Sequence, residues 1–225
     1  MLLLRLTLQI VISLVLFAAL LFVPAGTLDW WHGWVYLGVL TVMGVAGAAW
    51  LYVYNKPVVE ERLGGVVQRG QPLADKLLVL LLLVPLLGWL LFLPLDTFHW
   101  QLLPKPGVVI SSLGLVLVCF GYWLMLKAMG DNEFAAPVIK HERGQRVVDT
   151  GSYAVIRHPM YAGFIPYIVG SRLWLESYAG VLVGLLPIGL IVARIFLEES
   201  FLRRELPGYD AYMQKVRYRL IPYVW

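Results

Sequence analysis

Apolar residues along this chain fall into long blocks separated by shorter polar stretches. Six blocks stand out, near residues 6–23, 33–54, 77–94, 108–129, 161–176 and 178–197. A bilayer core about 30 Å thick is crossed by about 20 apolar residues in a helix. Backbone N–H and C=O groups in lipid must pair within their own segment, so blocks of this kind are helices. The pattern predicts an all-α fold, a polytopic transmembrane helix bundle of about six spans. The count is five if the fifth block, short and carrying Pro166, Gly170 and Arg172, does not cross fully. The fifth and sixth blocks are close enough in sequence to form a helical hairpin. Pro85 and Pro187 are expected to kink their spans. Gly38, Gly44 and Gly47 are expected to let helices approach closely. The first block is long for a signal peptide and lacks a small-x-small cleavage site, so it reads as a retained span.

The polar stretches set a direction. Counted over the connections and termini, fourteen Lys and Arg fall on one side of a six-span arrangement. Two, Lys105 and Arg172, fall on the other. Cytoplasmic loops collect Lys and Arg, so both termini are expected in the cytoplasm, in the inner membrane if the source is bacterial. Trp30, Trp31, Trp34 and Trp100 then lie at the outer ends, where aromatic belts form.

Composition agrees with lipid as the solvent. Of 225 residues, 60% are hydrophobic and 14% are Asp, Glu, Lys or Arg, against about 25% charged in soluble domains. The formal charge of +4 is too mild to argue for nucleic acid. Cys119 is the single cysteine, which excludes an internal disulfide and a cysteine metal site; it reads as a free core thiol. No metal site is expected, because His32 and His99 lie on the side opposite His141 and His158. Oligomeric state is left open.

Chemistry is expected where polar residues meet the membrane on one side. Arg157, His158 and Tyr161 sit where a loop enters the fifth block, and Pro159 suits a first helical turn. His158 and Tyr161 are three apart and share a helix face. Arg194 and Glu198 are four apart near the end of the sixth block, with Glu199 adjacent. Ionisable groups at such positions are costly in lipid and usually turn inward and pair. A hairpin of the last two blocks would bring the two groups together as one pocket open to the cytoplasm.

At these residues the sequence resembles the isoprenylcysteine carboxyl methyltransferase family. The pattern G-x-Y-x-x-x-R-H-P-x-Y-x-G is complete in Gly151, Tyr153, Arg157, His158, Pro159, Tyr161 and Gly163. A second block, R-x-x-x-E-E-x-x-L, reads Arg194, Glu198, Glu199 and Leu202. It is followed by a shortened Gly208-Tyr209-Asp210-Ala211-Tyr212 element and a closing Arg219 and Pro222. The resemblance implies N-terminal transmembrane helices over 1–106 and a methyltransferase core over 107–225. In that core the C-terminal hairpin and a cytoplasmic helix form the cofactor site. It implies S-adenosylmethionine as cofactor, near Lys140, His141, Val147, Tyr153, Arg157, His158, Tyr161 and Glu198. Arg194 and Glu199 match positions that handle the acceptor, a lipophilic carboxylate such as an isoprenylcysteine. The expected partners are that acceptor and membrane lipids.

Three other readings compete. R-H-P-x-Y-x-G with paired glutamates also resembles phospholipid amine methyltransferases, where Glu199 would serve as base. A sterol-type membrane reductase using NADPH shares the C-terminal architecture, but the loop is short of basic residues for a 2′-phosphate. A non-enzymatic membrane scaffold is the fourth.

Overall fold

The computed structural model describes residues 2–68, 70–139 and 144–225, with no side-chain detail before residue 7. Among the described residues every regular element is a helix. The helices are α1 (Leu2–Ala25), α2 (Trp31–Tyr54), α3 (Lys56–Arg62), α4 (Leu73–Leu95) and α5 (Val108–Asp131). They continue with α6 (Pro159–Trp174), α7 (Tyr178–Val183), α8 (Leu185–Glu205) and α9 (Tyr209–Lys215). Five segments are long and apolar enough to cross a membrane: Thr7–Ala25, Trp31–Tyr54, Leu73–Trp100, Val108–Asp131 and Tyr178–Glu205. Large side chains such as Leu8, Val15, Val42, Val84 and Val116 point outward from them, as lipid-facing positions do.

The expected fifth span is α6, which has only 16 residues and, at 1.5 Å per residue, reaches about 24 Å. It nonetheless joins the two ends of the bundle. At one end, Arg157 and His158 donate backbone hydrogen bonds to the carbonyls of Tyr218 and Arg219, each at 2.9 Å. At the other, the Trp174 indole donates to the His32 carbonyl at 2.8 Å. The expected sixth span is broken in two at Gly184, so α7 and α8 meet near Pro187, at the third residue of α8 rather than in a mid-span kink.

Close helix approach occurs where the sequence pattern did not point. Gly38 and Gly44 face open space, and only Gly47 touches a neighbour, the Tyr122 hydroxyl. The tight seam lies between antiparallel α5 and α6. A Cβ on Gly163 would sit 2.5 Å from the Gly121 carbonyl, and one on Gly114 would sit 2.7 Å from Leu173 Cβ. In lipid, where apolar burial gives little drive between helices, such backbone contact supplies dispersion energy. Gly163 closes the R-H-P-x-Y-x-G pattern, so the last motif glycine serves packing.

The three connections expected outside do meet at one end. His32 Nδ1 lies 3.4 Å from Glu176, Lys105 lies 3.9 Å from the same carboxylate, and the His99 ring contacts the Pro24 carbonyl at 2.9 Å. Three details differ from expectation. Arg172 is not a connection residue; it is fully buried in α6, over the Trp89 ring at 4.5 Å, with Nη1 donating to the Ile168 carbonyl. Trp30 leaves the belt and packs between Phe22 and Phe98, whereas Trp31, Trp34 and Trp100 stay exposed. Cys119 is exposed on α5, not in the core.

Candidate functional site

The site is assembled at the end opposite those connections, from the start of α6, the last turns of α8, the chain between α5 and α6, and the C-terminal segment. Three charged groupings organise it, and each choice of partner has a physical reason.

The first is centred on Glu199, which is 4% exposed. Its Oε1 accepts from Arg157 Nε at 2.7 Å and lies 3.2 Å from His158 Nε2, and its Oε2 accepts from Arg219 Nε at 3.0 Å. A buried carboxylate is tolerated when paired and hydrogen-bonded on both oxygens. Arg157 Nη1 also donates to the Val216 and Arg217 carbonyls at 2.7 and 2.8 Å. One carboxylate therefore ties α8, the α6 entrance and the C-terminal segment together.

The second pairs Glu198 with Tyr161, whose hydroxyl donates to Oε2 at 2.6 Å. His158 stacks on the Tyr161 ring at 5.6 Å. The two residues three apart thus share a face, as predicted. The third was not predicted. Arg194 does not turn to Glu198 for its main bond but donates from Nε to Asp75 at 3.0 Å and from Nη2 to the Pro137 carbonyl at 2.8 Å. Asp75, in the first turn of α4, is fully buried and also accepts from the Ile139 backbone N–H and from Gln71, each at 2.8 Å.

These groupings frame one cavity. It is lined by Asn132, Phe134–Ala136, Val138 and Ile139 from the chain after α5, and by Gln145–Val148 and Tyr153 further along. Arg157, His158, Met160 and Tyr161 face it from the α6 entrance, Arg194, Glu198 and Leu202 from α8, and Leu206, Tyr209 and Tyr212 from the end of the chain. Of the residues expected near a cofactor, Val147, Tyr153, Arg157, His158, Tyr161 and Glu198 all line it. Lys140 and His141 lie outside the described residues. Arg194 lines it; Glu199, expected to face the acceptor, does not, because both its oxygens are held behind Arg157 and His158.

Local sequence explains how the frame is held. Gly151 opens the first motif at φ +58°, and a Cβ there would meet the Asp131 carboxylate at 2.5 Å. Asp131 in turn accepts the Ser152 N–H at 2.7 Å, which fixes the turn that presents Tyr153. Gly208 stands at φ +87° before α9, a left-handed position that glycine takes at little cost. From there Tyr212 reaches back to donate to the Tyr153 carbonyl at 2.8 Å. Burial pushes the Tyr153, Tyr209 and Tyr212 phenols above their ordinary pKa, with the nearby Glu198 adding to this at Tyr153 and Tyr209. All three are neutral donors at physiological pH.

Asp75 and Arg62 are the functional candidates that motif reading missed. Arg62, at the end of α3, donates from Nη2 to the Ala135 carbonyl at 3.3 Å and to Met160 Sδ at 3.1 Å. Burial pulls its pKa below the ordinary value, and the Arg194 charge acts in the same direction. Asp75 had one signal, an ionisable residue at the start of a strongly apolar helix.

Comparison with known proteins gives three findings. Residues 109–207 match the family model for phospholipid methyltransferases. A protein-S-isoprenylcysteine O-methyltransferase of Schizosaccharomyces pombe is 30% identical over 111 residues, 47% of this chain and 46% of that protein. The match thus spans about half the length of the curated relative. A solved eukaryotic intramembrane Ras methyltransferase, an isoprenylcysteine carboxyl methyltransferase, shares the fold with a TM-score of 0.52 at 20% identity. That likeness covers 94% of this chain and 74% of the other. The long apolar helices mark an integral membrane protein, and its bundle shares the fold of a solved intramembrane methyltransferase. By motif, partial sequence match and fold, the chain is similar to isoprenylcysteine carboxyl methyltransferases.

Proposed function

We propose that this protein transfers a methyl group from S-adenosylmethionine to a lipophilic carboxylate of the isoprenylcysteine type, at the cytoplasmic face of the membrane. The observation that carries the reading is the cavity itself. Two polar segments about forty residues apart close on one space that has cationic, acceptor and aromatic walls together.

The residues present fit such a cofactor. Arg157 keeps Nη2 for a carboxylate while its other nitrogens are engaged, and His158 lies beside it. Glu198 and Asn132 offer acceptors for an ammonium and for ribose hydroxyls. Phe134, Val147 and Leu202 give a flat apolar wall for a purine, and Tyr153, Tyr161, Tyr209 and Tyr212 supply π faces toward a cation. Lys140 and His141 are proposed as further cofactor-binding residues. Bound there, S-adenosylmethionine supplies a methyl group on a cationic sulfur, which leaves as a neutral thioether when a nucleophile takes the methyl.

The protein's part is positioning and exclusion of water. A carboxylate acceptor is already ionised at pH 7, so no base is required. Arg194 orients it through Nη1, the nitrogen not committed to Asp75 or Pro137. Glu199 is a positioning residue that holds Arg157 and His158.

The phospholipid methyltransferase match favours a second reading, amine methylation. An amine would need a base. Glu199 is held by two arginines and a histidine, and Glu198 accepts the Tyr161 proton donor, which weighs against it.

Purified protein in detergent is expected to bind S-adenosylmethionine, with binding lost in Arg157→Ala and reduced in Glu198→Gln. Labelled methyl groups transferred to lipid extract should be released by mild alkali as esters are. Alkali-stable label would support the amine reading, and unchanged cofactor affinity in both variants would overturn the site.

A further inference from the structure

The outward face of α8 changes character along its length. Leu182 at the end of α7, then Leu185, Leu186, Gly189, Ala193 and Phe196 on α8, are all exposed. They follow one another at three- and four-residue spacing, so they form one stripe. On a helix long and apolar enough to cross a membrane, that stripe meets acyl chains. It continues through Ser200 to Arg203 and Arg204, which are exposed as well. Arg203 stands seven residues after Phe196, about 10 Å further along the helix axis. A headgroup layer is about 5–8 Å thick, and a long arginine side chain reaches into it from either side.

At that depth lies a groove of about 430 Å³ between the end of α8, α9 and the C-terminal segment. Arg203, Arg204 and Arg219 line it, against the carboxylates of Glu199 and Asp210. Glu199 is already held by Arg157, His158 and Arg219. Asp210 accepts from Arg203 at 2.7 Å, but both side chains are exposed, and such a pair contributes little in water. Among the described residues Arg204 has no hydrogen bond or ion pair. Arg219 commits only Nε, to Glu199, and lies over the Phe196 and Trp225 rings at 5.1 and 5.3 Å. A guanidinium fixed by one edge and stacked on aromatic faces presents its free edge as a fork suited to phosphate. Beside it the chain closes on itself, with the Leu220 and Ile221 N–H groups donating to the Trp225 carbonyl at 2.9 and 3.0 Å. The loop so formed leaves Ile221, Tyr223 and Val224 exposed.

We infer that this groove is a headgroup site for an anionic phospholipid, its phosphate held by Arg203, Arg204 and Arg219 and its acyl chains lying on the α8 stripe. Phospholipid fits better than a free anion, because the groove opens where an apolar stripe ends and a loop with exposed Ile221 and Val224 flanks it. An anionic headgroup fits better than a zwitterionic one, whose ammonium would be placed among three guanidinium groups. The site also touches the clamp described above. Arg219 bonds Glu199, and Glu199 holds Arg157 and His158 at the α6 entrance. A lipid phosphate on the free edge of Arg219 therefore braces the C-terminal segment against α8. None of this depends on the methyl-transfer reading.

The test titrates the full chain in detergent with phosphatidylglycerol or phosphatidylcholine and reads bound lipid by native mass spectrometry. The wild-type protein is expected to hold phosphatidylglycerol about tenfold or more tighter than phosphatidylcholine. Arg204→Gln should weaken phosphatidylglycerol about fivefold, and Arg203→Gln/Arg204→Gln about 25-fold, the scale of one and two basic residues at a lipid surface. Both side chains are exposed, so neither change disturbs packing. Lys56→Gln removes an exposed charge on α3 and should leave the preference intact. Inorganic phosphate and glycerol phosphate should not displace the lipid. In nanodiscs, adding phosphatidylglycerol to phosphatidylcholine should slow proteolysis after α9 in the wild-type protein and not in the double variant. Equal affinity of the wild-type protein for the two lipids overturns the site, and so does a double variant that keeps the wild-type preference or protection. An equal loss in Lys56→Gln would mean diffuse attraction to charge, and displacement by inorganic phosphate would mean a free-anion site; either result overturns it too.

Discussion

Removing the Asp75 carboxylate is the sharpest perturbation of the charge arrangement. Asp75 is fully buried on α4 and accepts from Arg194 at 3.0 Å, from the Ile139 N–H at 2.8 Å and from Gln71 at 2.8 Å. Asp75→Ala leaves a buried guanidinium without its counter-charge and an amide N–H without its acceptor. Breaking a buried ion pair from one side costs about 3–5 kcal/mol. For a chain of this size about 2–4 °C of melting temperature accompanies each kcal/mol, so the shift is on the order of 10 °C. Asp75→Asn keeps an acceptor for Ile139 and Gln71, which share Oδ2, but turns a donor toward Arg194 at the other position, and about half the loss is expected. The double variant Asp75→Ala/Arg194→Met removes the stranded charge and should regain much of the stability, since the two sites are coupled. Tryptophan fluorescence melts of the detergent-purified protein read all three. An Asp75→Ala protein that melts within about 2 °C of wild type, or a double variant no better than the single one, would refute the claim that Arg194 is held from α4.

Further outcomes follow from the same contacts. Glu199→Gln strips Arg157, His158 and Arg219 of their shared carboxylate; protease should then cut the segment after α9 sooner, and cofactor affinity should fall about tenfold or more. Gly163→Ala puts a methyl 2.5 Å from the Gly121 carbonyl and should cost about 1–3 kcal/mol by overpacking. Gly38→Ala meets nothing and should be neutral or stabilising by about 0.5 kcal/mol; thermal melts compare the pair. Tyr153, Tyr209 and Tyr212 have raised pKa values in the folded protein. Above their ordinary pKa of about 10 the unfolded chain releases protons that the folded chain retains. Stability should therefore be unaffected by these groups below that pH and fall above it, seen as alkaline melts that drop with tyrosinate absorbance appearing only on unfolding.

Much of the site was legible before any fold was known. Arg157, His158 and Tyr161 sit at a span entrance, and Arg194, Glu198 and Glu199 sit at a span end. Ionisable residues at such places have few ways to be satisfied in lipid. Meeting each other across a hairpin is one, and Arg157–Glu199 and Tyr161–Glu198 are its result. The helical blocks were legible for the same reason, since lipid allows an apolar run little except a helix. Their packing was less so. The 161–176 block forms the 16-residue α6, and glycines at 114, 121, 163 and 170 let it lie against α5 along its length.

The sequence by itself determined that this is an all-helical membrane protein, which end of the bundle bears charge, and which motif residues gather there. These follow from local periodicity and from the cost of burying charge, and both are written residue by residue. Only the tertiary structure decided the pairings. Arg194 went to Asp75, 119 residues away. Glu199 became a buried clamp rather than a face of the cavity. Arg62 was left against Met160, which lines the cavity. A buried ion takes whichever counter-charge packing brings within about 3 Å, and no spacing along the chain encodes that distance between helices.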